Sequence, residues 1–280
     1  FADVRFFLKK GYPTTAVVEY LMNLLNSDFE MWRKQNPTLP YTEFPFSLKK
    51  IGVTNPMFDF AKINDISKTI ISKMTAEQVY NKTLNWANEW DKQSYEIIKN
   101  NKEVLLSVLS IDRGGDRPRK DITYFSEVLD LYDYVLPGFK PDLSSINYGQ
   151  AKLGNLHECL KEYCLNYTEL NSNQEWFENL KQIANKHLFV DNKVYKQQPD
   201  AYAGSVSDVA KFVRIAITGR ENSPELYSIM KVLGEKECKN RLNKMIDEIA
   251  TKLLIDLQSK NIINLLKSKE MIYKINLQKM

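Results

Sequence analysis

Apolar residues recur along most of this chain at intervals of three and four, the spacing that lines one face of an α-helix. Over residues 14–25 the stripe is Val17, Leu21, Leu24 and Leu25, following Pro13. Over residues 75–91, Thr75 and Gln78 stand at capping-box spacing ahead of Val79, Trp86 and Trp90. Residues 206–217 place Val206, Val209, Ala210, Val213 and Ile217 on one stripe. Residues 223–233 open with Ser223 as N-cap, Pro224 at the first helical position and Glu225 in the first turn, and close at Gly234. Residues 241–258 carry Leu242, Met245, Ile249, Leu253 and Leu257. The last thirty residues, rich in Lys and Asn with scattered Ile and Leu, predict one or two peripheral helices.

Sustained apolar–polar alternation is missing, and so is any repeated strand–helix unit. The expected fold is therefore all-α: helical bundle or cage subdomains in an elongated array, with few or no short strands. The least regular stretch is 34–56, with Pro37, Pro40, Pro45 and Pro56; short strands or extended segments are expected there if anywhere. A chain of 280 residues exceeds what one compact domain usually holds, so two or three domains are expected. One boundary falls near residue 74, where a capped helix begins. The other falls in the cluster Pro137, Gly138, Pro141, Ser144, Ser145 and Gly149. The resulting division is 1–73, 74–145 and 146–280.

Composition narrows the class. Apolar residues make up 43% and charged residues 26%, the balance of a globular chain, and no apolar run is long enough to span a bilayer. No signal-peptide pattern follows Phe1, so a cytoplasmic location is expected, and a first residue other than Met reads as a piece cut from a longer protein. The net charge of +4 permits a polyanionic partner without demanding one. Three cysteines suit a reducing compartment. His157, Cys159 and Cys164 invite a zinc reading, but the knuckle spacing and a second ligand pair are missing, so no metal site is expected.

Chemistry-bearing motifs are absent too. Neither a G-x-G-x-x-G turn nor a G-x-x-x-x-G-K-[ST] phosphate loop occurs. The two histidines, His157 and His187, have no nucleophile in a recognisable motif, and the carboxylates are scattered over polar faces. No catalytic residue and no cofactor site is expected in this chain.

Three segments, taken in order, carry a resemblance. The first is Gly11-Tyr12-Pro13 with Tyr20-Leu21-Met22-Asn23, then Phe58-Asp59 and Lys62. The second is Arg117-Pro118-Arg119-Lys120-Asp121. The third runs from Tyr202-Ala203-Gly204-Ser205-Val206 through Arg214-Ile215-Ala216-Ile217-Thr218-Gly219-Arg220 into Ser223-Pro224-Glu225-Leu226-Tyr227 and Leu233-Gly234. Together they resemble the C-terminal region of bacterial glutamyl-tRNA synthetases: a stem-contact region, then two anticodon-binding subdomains. The third segment is the long, specific match. One departure is Ile63-Asn64-Asp65-Ile66-Ser67, where many members carry a Leu-x-x-Leu-Asn-type run.

The resemblance implies that Arg119 helps read the third anticodon base. It also implies that Arg214, Ser223, Pro224 and Leu226 approach the anticodon. A guanidinium fork suits a base edge and stacks on an unstacked base. Arg113, Arg117 and Lys120, in the same loop as Arg119 around Gly114-Gly115, suit a phosphate backbone. Read without the resemblance, that loop is equally a solvated turn, Arg214 an ion-pairing helix residue and Ser223 a plain cap. The implied partners are tRNA(Glu), with tRNA(Gln) left open, and an N-terminal catalytic domain of the same polypeptide; a monomer is expected. That longer enzyme would use ATP and Mg2+. The alternatives are a helical RNA-binding adaptor and a protein-interaction scaffold without enzymatic role.

Overall fold

The computed structural model describes residues 3–51, 57–168 and 172–278. Pro56 of the irregular stretch and the chain start at Phe1 lie outside them. Among the described residues the protein is all-α, 69% helical, with fourteen α-helices and two very short strands. It divides into two compact units, Phe1–Pro137 and Gly138–Met280.

The first unit is built from α1 (Val4–Lys10), α2 (Thr14–Leu25), α3 (Asp28–Gln35), α4 (Phe60–Ser72), α5 (Ala76–Trp90), α6 (Lys92–Asn100), α7 (Lys102–Ser110) and α8 (Val128–Leu131). Residues 41–50, in the stretch expected to hold any extended segment, form two 3₁₀ turns, Tyr41–Glu43 and Leu48–Lys50. The α1–α2 joint is tight. Gly11 closes α1 at φ +76, and its carbonyl accepts the Phe125 N–H at 2.8 Å. A Cβ there would meet Phe125 N, Ser126 N and the Trp86 ring, each at 3.1 Å, so only glycine fits both the angle and the space. Phe7, Tyr12, Tyr20 and Ile63 form a core beside this joint.

The stripe expected on α2 is half met: Val17 and Leu24 pack against this core, but the buried face is rotated away from the other two. Leu21 and Leu25 are 44% and 42% exposed, while Ala16, Glu19 and Tyr20 are buried. Tyr20 decides this, because its ring packs on Phe58 and its hydroxyl accepts the Asp59 N–H at 2.6 Å. Glu19 is tolerated on that face by its ion pair with Arg33 at 2.7 Å. In α5, by contrast, the capping box of Thr75 and Gln78 forms as expected and Val79 is fully buried.

The second unit holds α9 (Leu153–Asn166), α10 (Asn173–Lys186), β1 (Phe189–Val190), α11 (Asn192–Gln197), β2 (Gly204–Ser205), α12 (Val206–Thr218), α13 (Leu226–Leu233) and α14 (Glu235–Gln278). The two strands pair in parallel, Phe189 with Gly204 and Val190 with Ser205. They lie far along the chain from residues 34–56, where strands were expected. Two residues cannot show alternation, so no sequence pattern announces such a strand. The Phe189 ring packs so closely over Gly204 that a Cβ would stand 2.8 Å from it.

Ser205 then caps α12 in a reciprocal box with Asp208, and α12 ends at Gly219 in the left-handed conformation. Its expected stripe is buried, except that Ala210 is only half-buried; Phe212 and Ile215 are buried as well. The last helix starts six residues before the expected 241 and runs unbroken to Gln278, so one helix stands where one or two were expected. Cys238, Leu242, Met245 and Ile249 fill its inner face, whereas Leu257 of the expected stripe is 57% exposed.

Candidate nucleic-acid interface

The first candidate group lies in the loop after α7. Asp112 adopts φ +54, Gly114 and Gly115 turn the chain, and the Arg119 N–H donates to the Asp112 carbonyl at 2.9 Å to close the loop. Arg113 is used for packing: its Nε donates to the Leu109 carbonyl at 2.7 Å and its Nη1 to the Ile71 carbonyl at 3.0 Å. These carbonyls lie at the C-terminal ends of α7 and α4, where helices leave acceptors unmatched. Arg117 and Lys120 are exposed, and Lys120 Nζ donates to Thr69 Oγ1 at 2.9 Å.

Arg119 itself is held from below. Its Nε donates to Asp121 Oδ2 at 2.7 Å, and the Tyr132 hydroxyl donates to the same oxygen at 2.7 Å. Tyr132 is buried, and burial first, then the Asp121 carboxylate, pushes its phenol well above the ordinary tyrosine range.

The second candidate group gathers in the other unit. Arg214 Nη1 donates to Ser223 Oγ at 2.5 Å, to the Pro224 carbonyl at 3.1 Å and to the Ser223 carbonyl at 3.3 Å. Ser223 is therefore not the helix cap that its position suggests, and Pro224 is not the first helical residue. The helix begins at Leu226, and Glu225 caps it, accepting from Tyr227 N at 3.0 Å and Ser228 N at 2.8 Å. The longer carboxylate reaches two amides, while the Ser223 hydroxyl is taken by the arginine.

Arg214, Glu225 and Leu226 line one wall of a cleft of about 450 Å³; Asn173, Gln174, Trp176 and Phe177, at the start of α10, line the other. Trp176 is buried and donates its ring N–H to the Tyr163 hydroxyl at 2.7 Å. Phe177 is 40% exposed. Sequence reading missed this wall. Its one signal is two adjacent aromatics behind the Ser172 cap, which cannot both face a core on a helix.

The residues of the first segment, expected to contact a stem, play mostly structural parts. The Tyr12 hydroxyl donates to Asn64 Oδ1 at 2.6 Å, Asp59 caps α4, and Lys62 pairs with Glu30 at 2.8 Å. A cavity of about 630 Å³ lies between α2, α3 and α4, lined by Glu19, Arg33, Lys62, Thr69 and Lys73 among others. His157 and His187 sit against Glu158 and Glu162, and all three cysteines are buried, with burial pushing the Cys159 thiol up to about 12. Among the described residues no three His, Cys, Asp or Glu side chains converge as a metal site, and no helix is long and apolar enough to cross a membrane.

Comparison with known proteins places these features. Residues 119–246 match the anticodon binding domain family. Glutamate–tRNA ligase of Acetivibrio thermocellus is 35% identical over 250 residues, 87% of this chain and 44% of that protein. That of Clostridium perfringens is 36% identical over 247 residues, again 87% of this chain and 45% of the relative. Over most of its length the chain is similar to the C-terminal part of glutamate–tRNA ligases, and its residues 119–246 to the anticodon binding domain. It spans less than half the length of these curated relatives. The fold agrees with that of a solved glutamate tRNA ligase from Elizabethkingia meningosepticum. The TM-score is 0.55 at 15% identity, over 89% of this chain and 45% of that one. The anticodon-domain match opens at Arg119 and includes Arg214, Ser223, Pro224 and Leu226; Arg113 and Arg117 precede it.

Proposed function

We propose that this chain is the tRNA-recognition part of a glutamate–tRNA ligase, holding the anticodon and inner stem of tRNA(Glu). The observation that carries the reading is the cleft in the second unit. There a fixed arginine, a helix start and a half-exposed phenylalanine converge around a volume of about 450 Å³, enough for an unstacked base. RNA is read this way, with splayed bases stacked on aromatic side chains and hydrogen-bonded along their edges.

In this reading residues 1–73 contact the stem, and 74–145 and 146–280 form two anticodon-binding subdomains. Arg119 reads the third anticodon base and separates tRNA(Glu) from tRNA(Gln). Arg117 and Lys120, both exposed, meet phosphates. Formation of glutamyl-adenylate from ATP with Mg2+, and transfer to the tRNA 3′ end, belong to the part of the relatives that this chain does not cover. The sequence contains no phosphate loop and the described residues form no metal cluster, so no chemical step is assigned to them. Their contribution is binding energy that orients a distant acceptor end. The site is that of a monomer working in the cytoplasm.

The test is the affinity of the chain for a tRNA(Glu) transcript and for the same transcript with its third anticodon base changed, at two salt concentrations. The expected result is tighter binding to the native anticodon, lost in Arg119→Ala. Affinity for both transcripts should fall with salt, with a slope that drops by about one unit when Lys120 or Arg117 is replaced by Ala. Binding that ignores salt and Arg119 would sink the proposal in favour of a protein-interaction scaffold.

A further inference from the structure

We infer that Asp121 and Tyr132 are positioning residues that lock the Arg119 guanidinium in its reading geometry before tRNA arrives. The inference rests on the anticodon reading proposed above and adds two residues to it.

Three linked groups run outward from the core. Tyr132 is 2% exposed, the Asp121 side chain 16% and the Arg119 side chain 29%. The Tyr132 hydroxyl and the Arg119 Nε both donate to one oxygen, Asp121 Oδ2, each at 2.7 Å. Residues 119 and 121 lie two apart in a stretch without helix or strand, and the 2.7 Å contact shows their side chains turned toward each other. The base of the arginine is fixed as well, by its backbone N–H on the Asp112 carbonyl at 2.9 Å.

An exposed arginine–carboxylate pair by itself does little to hold a long side chain still. Here the carboxylate is tied to a buried phenol, so its orientation is set by the packing of the core. The arginine inherits that orientation, and much of the rotamer entropy that binding would otherwise remove is already lost. The carboxylate is not arranged for stability: its other oxygen, Asp121 Oδ1, is buried without a hydrogen bond among the described residues. A buried acceptor left unmatched costs stability. The arrangement makes sense if the carboxylate serves the arginine. The ligand class is an unpaired nucleobase edge, which a preset guanidinium reads better than a mobile one.

The experiment compares the 280-residue chain with its Asp121→Asn, Tyr132→Phe and Arg119→Ala variants. Each is titrated with the tRNA(Glu) transcript and with the transcript altered at the third anticodon base, and its thermal midpoint is recorded. The expected result is a ratio of affinities lowered about three- to tenfold in Asp121→Asn and Tyr132→Phe, the range for freeing one long side chain. Affinity for the altered transcript should be unchanged. A ratio equal to that of the unmodified chain in both variants, with Arg119→Ala still losing it, would overturn the positioning role and leave the anticodon reading standing. Equal weakening toward both transcripts, in step with a lower midpoint, would overturn it as well, because that is the signature of a structural role. An Arg119→Ala variant that discriminates like the unmodified chain would remove the anticodon reading and this inference together.

Discussion

Two arginines, one in each compact unit, are held in opposite ways. Arg119 is anchored locally, by a carboxylate two residues along the chain, and that carboxylate is anchored by buried Tyr132. Arg214 is anchored across a turn, by the hydroxyl and carbonyls of Ser223 and Pro224, nine and ten residues away. The first arrangement holds the arginine without shaping the chain around it. The second makes the arginine a brace for the loop that leads into α13. The difference says where binding and stability can be separated by mutation, and where they are coupled.

The strongest way to break the comparison is Arg214→Ala. Removing the brace leaves the Ser223 hydroxyl and two carbonyls without this donor, at a cost of about 1–3 kcal/mol, more where a charged donor is lost. Urea unfolding should show that loss together with weaker tRNA binding, whereas Arg119→Ala should lose discrimination at nearly unchanged stability. If Arg214→Ala unfolds like the unmodified chain, the brace is not structural. Phe177→Ala comes next. A stacking platform contributes about 1–3 kcal/mol per base, and a side chain 40% exposed contributes little to folding. Titration with an anticodon stem-loop should therefore weaken at constant thermal midpoint; constant affinity would remove the stacking role.

The two candidate caps of α13 give a smaller and sharper contrast. Glu225→Ala should destabilise by about 0.5–2 kcal/mol, the cost of a lost N-cap. Ser223→Ala should leave helix capping unaffected, because Glu225 accepts both amides. Comparable losses of amide-exchange protection at Tyr227 and Ser228 in the two variants would return the capping role to Ser223.

The smallest effect is one of pH in the first unit. Hydrogen bonds from Lys62 and Lys34 hold Glu30 down to about 2. A carboxylate whose folded value lies below its unfolded value stabilises the protein above the unfolded value, and that stability is lost as pH falls through the folded one. The window therefore runs from about 4.5 down to about 2. The Glu30 side chain is 48% exposed, so screening keeps the gain to a fraction of a kcal/mol. Glu30→Gln should lower stability slightly at neutral pH and leave it unchanged below about pH 2, flattening the acid limb between, as acid titration of the folded signal would show.

How much of this was legible in the sequence varies by element. The start of α5 was legible from a cap residue and its partner three positions on, and α12 from its apolar face; the Ser205–Asp208 cap of α12 and the 37% exposure of Trp90 were not read. The α2 face was not, because Tyr20 and Glu19 are buried through partners at Asp59 and Arg33 that no helical periodicity reveals. Ser223 was misread for a related reason. It stands at a cap position, but a hydroxyl serves whichever donor is nearest, and in space that is Arg214. Arg241, 2% exposed and paired with Glu237 at 2.7 Å, sits over the Phe139 ring and donates to the Ile217 carbonyl at 2.5 Å; nothing in its neighbourhood along the chain marks it as an interior residue.

The sequence by itself determined the helical class, the helix caps of α5 and the end of α13 at Gly234. It also carried the ordered motifs that resemble the glutamate–tRNA ligases to which the chain is similar. These depend on backbone propensity and on neighbours a few residues apart, which a linear pattern records. Only the tertiary structure decided which face of α2 is buried, that a two-residue parallel strand pair precedes α12, and that Phe177 stands opposite Arg214 across a cleft. It also decided that Tyr132 reaches the carboxylate holding Arg119. Those outcomes depend on groups that meet because the chain is packed, and a contact between residues far apart in sequence leaves no periodic trace.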